Sequence, residues 1–118
     1  MTNLVPMTRQ IHGRSVRGLE IDPETRCAHW HSPLDIIALR IKCCGTWFPC
    51  FDCHTETTSH PGAVWPLDER DTEAILCGHC GHTLTITDYL ECESTCPACA
   101  APFNPGCATH AHLYFELG

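Results

Sequence analysis

"CCGTWFPCFDCH", Cys43 to His54, places four cysteines and a histidine within twelve residues. That density admits three explanations: disulfide staples, a redox or nucleophilic centre, or metal ligands. Each stabilises a chain in a different way, so the choice among them decides the fold.

The remainder of the chain favours metal. Its 118 residues suffice for one domain, or for two small lobes. The apolar fraction of 43% includes eleven cysteines. Leu, Ile, Val and Phe make up only about a fifth of the residues, close to the level at which a chain struggles to bury enough surface. Nine prolines and eight glycines point to a loop-rich chain. Something besides apolar burial must then offset a chain entropy of about 1–2 kcal/mol per ordered residue.

The opening "MTNLVPMTRQIHGRSVRGLE" lacks the apolar segment of a signal peptide, and no run is long enough to span a membrane. The expected compartment is therefore the reducing cytoplasm, where regularly spaced cysteines more often bind metal than pair as disulfides. The odd count of eleven also fits poorly with full pairing. The mitochondrial intermembrane space is the alternative, since it can receive cysteine-rich chains that carry no cleaved signal. The formal charge is −7, and Arg9, Arg14 and Arg17 form too small a basic cluster for a nucleic-acid footprint. Neither nucleic acid nor a membrane is an expected partner. A protein partner of unknown identity is.

Residues 1–26 read as a polar N-terminal arm with one short strand. "IIALRIKC" (36–43) alternates, with Ile37, Leu39, Ile41 and Cys43 on one side, as a half-buried strand ending in the cysteine cluster. "TWFPCF" is its hairpin partner after a turn at Gly45, and residues 52–60 suit one or two helical turns. Residues 61–74 form a linker between a lobe at 27–60 and a lobe at 75–118. In the second lobe "AILC" reads as a strand, "TITDYL" as a helical turn and "HLYFEL" as a closing strand.

The ligands can be counted. Cys77-x2-Cys80 and Cys96-x2-Cys99 are fifteen residues apart, the spacing of a four-cysteine zinc ribbon. Two such knuckles aim backbone N–H groups at the thiolates, and zinc takes four sulfurs tetrahedrally at about 2.3 Å. The first lobe offers eight more ligands: Cys27, His29, Cys43, Cys44, Cys50, Cys53, His54 and His60. Eight make two tetrahedral sites. Cys50 with Cys53 should share one ion, and so should Cys27 with His29. The vicinal Cys43 and Cys44 can chelate together only where the strand has broken, because successive strand residues face opposite ways. Spacing leaves open whether the two sites are sequential or interleaved.

The ordered set Cys27-x-His29-Trp30, Cys43-Cys44, Cys50-x2-Cys53-His54 and His60, followed by Cys77–Cys99, resembles the CHY-type zinc finger over about residues 27–118. That module occurs in certain RING-containing ubiquitin ligases, in the helper-of-Tim proteins of the mitochondrial intermembrane space, and in short stand-alone bacterial proteins. The tail "FNPGCATHAHLYFE" is similar to the stand-alone members. The resemblance implies three zinc ions, with the first two sites interleaved. Cys27, His29, Cys50 and Cys53 would hold one ion, Cys43, Cys44, His54 and His60 the second, and Cys77, Cys80, Cys96 and Cys99 the third. No RING-type ligand set is left over, so a ligase role is not expected.

Cys92 and Cys107 read as buried small side chains or a free thiol. A fourth site built from Cys107 with His31, His110 and His112 is the less favoured reading. His12, His79 and His82 carry no signal.

Two enzymes share these motifs. "CGHC" (Cys77–Cys80) is the dithiol of disulfide isomerases, but that chemistry needs an exposed thiolate at a helix N-terminus. "GHTLTITDYL" is too short and β-branched for such a helix. "PCFDCHTE" contains the elements of zinc nucleobase deaminases, in the wrong order and with no open coordination position for water. The expected fold is thus a small, irregular, zinc-stabilised α+β domain of short β-hairpins and zinc knuckles, in which zinc stands in for an apolar core. The expected function is zinc binding without catalysis, as an interaction or accessory module. Two alternatives stand beside it: helper-of-Tim-like zinc exchange with, or action on, a thiol-rich partner, and a CGHC thiol-disulfide oxidoreductase.

Overall fold

The computed structural model describes residues 6–104 and 111–116. It begins with a hairpin, β1 (Pro6–Ile11) and β2 (Arg14–Leu19), paired antiparallel from Pro6↔Leu19 to Ile11↔Arg14. His12 and Gly13 form its two-residue turn with φ of 49° and 81°. Both central residues positive is the geometry that matches the twist of tight hairpins. The polar arm expected to hold one short strand therefore contains two. Their pattern is weak, since of their large side chains only Ile11, Val16 and Leu19 are buried.

β3 (Ile37–Ile41) and β4 (Thr46–Phe48) form the hairpin expected around Gly45, whose φ of 65° suits glycine. β5 (Glu73–Cys77) lies antiparallel on the other side of β3, and β6 (Thr83–Thr85) lies antiparallel to β5. One six-stranded mixed sheet results, in the order β1-β2-β4-β3-β5-β6. Among the described residues the one parallel pairing within it is Val16↔Trp47, between β2 and β4. Among the described residues two short α-helices join the sheet, α1 (Phe51–Thr57) and α2 (Ile86–Glu91).

β3 differs from the half-buried strand expected of it. Ile37, Leu39 and Ile41 face the main core, and Ala38, fully buried, packs on the opposite face with Ile11, Val16, Ile21 and Leu76. The hairpin of the arm thus helps cover the reverse of the sheet. The strand reads as alternating because Arg40 is half-exposed and bonds the Gly45 carbonyl through Nε at 3.1 Å.

"HLYFEL" makes no strand within the described residues. Ala111–Leu113 is one 3-10 turn, and Phe115 forms a single parallel bridge to Trp65. Trp65 anchors this segment: its backbone N–H donates to Tyr114, its carbonyl accepts from Glu116, and its indole N–H donates to the Arg40 carbonyl at 2.8 Å.

Zinc does not stand in for a core here. The fold has both. The main cluster includes Phe48, Ile75, Leu84, Ile86, Phe103 and Phe115, together with Cys27, Cys50, Cys53, Cys77 and Cys96. Composition hid this because the few aliphatic residues are concentrated on strands and the cysteines themselves fill core volume. The protein is a small zinc-stabilised α+β fold.

Candidate metal centres

Three groups of four donors converge: Cys27, His29, Cys50 and Cys53; Cys43, Cys44, His54 and His60; and Cys77, Cys80, Cys96 and Cys99. Within each group the ligand atoms lie within 4.8 Å of one another. Zinc with ligand bonds of about 2.0–2.3 Å requires tetrahedron edges of roughly 3.3–3.8 Å. The separations bracket those lengths, and thiolate with imidazole is a donor set that suits zinc. Each quartet fits one zinc ion.

In the first quartet, Nδ1 of His29 lies 3.4 Å from both Cys50 and Cys53 Sγ and 3.9 Å from Cys27 Sγ, and Cys27 and Cys50 sulfurs are 3.6 Å apart. Local structure sets this up. Cys50 is the N-cap of α1, and its sulfur accepts from the Cys53 N–H at 3.4 Å. The same interaction that starts the helix aims both sulfurs inward. Opposite the sulfurs, His29 Nε2 meets the Glu56 carboxylate at 2.5 Å. A carboxylate on the far nitrogen fixes the tautomer and ring plane of a metal-binding imidazole. Burial alone would lower the His29 pKa, but the hydrogen bonds to Cys27 and Glu56 outweigh it and raise it. Among the sulfurs, hydrogen bonds from Cys50 and Cys53 pull Cys27 down to about 2, while Cys27 pushes Cys50 up and Cys53 up to about 12. One thiolate forms readily and resists a second beside it, so a divalent cation is the charge that would allow all three.

In the second quartet the Cys43 and Cys44 sulfurs are 3.7 Å apart. His54 Nε2 lies 3.0 Å and His60 Nε2 3.3 Å from Cys43 Sγ, and the two imidazole nitrogens are 3.3 Å apart. β3 has already ended at Ile41, so the vicinal cysteines lie in a turn and can face the same way. Cys53 and His54 are consecutive on α1. Neighbouring helix residues diverge by about 100°, so one turn of helix feeds two different ions. The donors thus group in the interleaved pattern. His54 is buried between Phe48, edge-on at 5.1 Å, and Phe51, stacked at 5.8 Å. Burial and then the His60 charge lower its pKa, which keeps its imidazole neutral and able to bind metal.

In the third quartet, Cys77 and Cys99 sulfurs are 3.9 Å apart, and Cys80 and Cys96 sulfurs 3.7 Å. Burial raises the Cys77 thiol, opposed by the N–H groups of Cys80 and His79 aimed at it. Burial likewise opposes ionisation of Cys96, and the N–H groups of Cys99 and Ala98 outweigh it. These are the paired knuckles expected from spacing. Cys77 ends β5 and CGHC leads into β6, not into a helix.

Cys92 joins no quartet; its thiol donates to the Tyr89 carbonyl at 3.1 Å. Cys107 and His110 lie outside the described residues, while His31 and His112 are exposed. Sequence reasoning missed the residues that support the quartets. Glu56 is one. His12 reaches from the β1–β2 turn to the Gly78 carbonyl at 2.9 Å, and His79 meets Glu24 at 2.7 Å. Both contacts tie the first 26 residues to the CGHC knuckle, and no local spacing signals either.

The CHY zinc finger family profile matches residues 27–104. Helper of Tim protein 13 of Saccharomyces cerevisiae is 45% identical over 105 residues, which cover 86% of this chain and 90% of that protein. Helper of Tim protein 13 of Kluyveromyces lactis is 39% identical, covering 90% of this chain and 88% of its own length. An uncharacterized protein of Schizosaccharomyces pombe is 40% identical, covering 86% and 89%. No solved structure matches the chain.

Proposed function

The chain belongs to the CHY zinc-finger family, and on that premise we propose that it is a non-catalytic accessory protein organised by three zinc ions. Cys27, His29, Cys50 and Cys53 hold the first ion, Cys43, Cys44, His54 and His60 the second, and Cys77, Cys80, Cys96 and Cys99 the third. The observation that carries the reading is the closure of each quartet, with four protein donors per ion. A filled tetrahedron leaves no position at which water or substrate could be activated, which marks a structural site and not a catalytic one. When bound, zinc supplies cross-links among segments far apart in sequence. The chain's own residues supply orientation through the Cys50 cap, the Glu56 carboxylate and the knuckle N–H groups. Elemental analysis of protein purified without added metal tests this. Three zinc ions per chain are expected, and a value near two would remove one of the quartets.

A second reading is favoured by the relatives named Helper of Tim protein 13 and by the exposed ligands of the second quartet. In it, the protein assists a thiol-rich partner, a Tim protein or one of like chemistry, by exchanging zinc with it. This reading takes the mitochondrial intermembrane space over the cytoplasm as the working compartment. Among the described residues no helix is long and apolar enough to cross a membrane. Capture of small cysteine-rich proteins by the zinc-loaded chain, with zinc moving between them, is the expected result. Failure of any such protein to change the zinc content would remove this second reading.

A further inference from the structure

The three quartets are not equivalent, and their differences lie along one axis. In the first, Cys27, Cys50 and Cys53 are all at most 5% exposed, and the remaining ligand is held from behind by Glu56. In the third, Cys77 and Cys96 are buried at the feet of two knuckles, each receiving two backbone N–H groups, while Cys80 is exposed and Cys99 half-buried. In the second, His54 alone is buried; Cys43 is half-buried, and Cys44 and His60 are exposed. The exposed pair sits on the least regular chain. Cys44 lies in the turn between β3 and β4, and His60 follows the last turn of α1 in a segment without regular structure.

Charge points the same way. Two thiolates neutralise a zinc ion, three leave one negative charge and four leave two, so the second quartet makes the neutral complex. An incoming thiolate meets repulsion at the first and third complexes and none at the second. His60 is the ligand such a thiolate can displace, because it leaves as a neutral imidazole from an exposed loop. His54, wedged between Phe48 and Phe51, holds the ion while the exchange proceeds.

We infer that the Cys43–Cys44–His54–His60 quartet is the exchangeable site, passing its zinc to or from a cysteine pair on a thiol-rich partner, while the other two quartets hold the fold. The inference rests on the exchange reading above and assigns it a place. The step balances without an oxidant or reductant. As two partner thiols bind the ion they lose two protons, and Cys43 and Cys44 take up two as their bonds to zinc break. Both imidazoles depart neutral, and two water molecules take their positions on the ion.

The test uses the zinc-loaded full chain and a synthetic peptide whose only metal ligands are one Cys-x2-Cys pair. Zinc on the peptide is followed by native mass spectrometry, and newly exposed thiols are mapped by alkylation at intervals. One ion of the three should pass in a fast phase, with Cys43 and Cys44 alkylated, the other seven ligand cysteines protected, and the amide NMR spectrum of the sheet retained. His60→Cys, which adds a thiolate to this quartet, should slow the fast phase by about fivefold, the effect of one unit charge at contact distance in water. Cys92→Ser, at a cysteine outside all three quartets, should leave it unchanged. Early alkylation of Cys80 and Cys99, or a fast phase that does not respond to His60→Cys, would overturn the assignment while leaving exchange itself standing. Zinc leaving only as the whole fold is lost would remove both.

Discussion

Gly18 lies so close to Cys53 that a β-carbon at position 18 would sit 2.8 Å from the sulfur and 3.0 Å from the Pro49 ring. β2 therefore forms one wall of the first quartet, although it contributes no ligand. Cys53 is fully buried. Gly18→Ala should cost about 1–3 kcal/mol, the usual penalty of overpacking. It should appear as one zinc ion held more weakly in a chelator competition titration, with the other two unaffected. Equal retention of all three would mean that the hairpin gives way instead.

Glu56 touches no sulfur, yet it sets the His29 ring from behind. Outer carboxylates of this kind are worth 10- to 100-fold in metal affinity. Glu56 is exposed, so Glu56→Gln should weaken the first ion by about tenfold, the low end of that range. The competition titration reads the affinity, and the circular dichroism of zinc-saturated protein should stay unchanged. A loss of fold at saturating zinc would assign Glu56 to α1 and not to the metal.

How far the sequence reached depends on where each signal is stored. Ligand spacing is local, so the third quartet followed from Cys77, Cys80, Cys96 and Cys99 alone. The pairing of Cys53 and His54 with different ions is a consequence of helical geometry, and spacing left it open until the family resemblance supplied it. The arm was under-read because "IHGR" turns through His12 and Gly13, outside the Asn-Gly and Asp-Gly pairs that announce a tight hairpin. The core was under-read because Ala38, Cys77 and Cys96 contribute buried volume that a count of large aliphatic residues omits. Glu56, His12 and Glu24 act across 27, 66 and 55 residues of sequence. Such distances leave no periodic trace.

The CGHC pair offers a discriminating measurement. Cys77 is fully buried at the end of β5, and burial keeps its thiol from ionising readily. A dithiol reductase needs its attacking sulfur exposed and acidic. Cys77 in zinc-loaded protein should therefore alkylate slowly until a chelator is added. Insulin reduction should run no faster than with free dithiothreitol. Fast labelling with turnover would make the oxidoreductase reading the correct one.

Cys92 and Cys99 separate a ligand from a bystander. The Cys92 thiol donates to the Tyr89 carbonyl at the end of α2, a bond that a serine hydroxyl can replace. Cys92→Ser should keep three zinc ions and shift the melting temperature by only a few degrees, matching a change of under about 1 kcal/mol. Cys99→Ser should release the third ion and broaden the amide signals of residues 73–104. A collapsed Cys92→Ser spectrum would mean that Cys92, and not Cys99, completes the quartet.

Removing the metal asks how much the core holds by itself. A structural zinc contributes roughly 10–16 kcal/mol of apparent binding energy in zinc-finger peptides at neutral pH. A whole domain's net stability is only about 5–15 kcal/mol. Five of the core residues are ligand cysteines, so losing zinc leaves repelling or protonated sulfurs inside the apolar cluster. Excess chelator should therefore collapse the dispersed amide spectrum despite the six-stranded sheet. Acid should act in the same direction. The unfolded, metal-free chain carries a proton on every thiol, and the zinc-bound chain carries none on its ligands. The unfolded state thus binds more protons, and stability rises with pH and is lost as pH falls. The unfolding midpoint and the zinc content should decline together in an acid titration. A spectrum that stays dispersed after zinc has gone would show that the sheet and its aromatic cluster stand without metal, and that the ions fix only the loops.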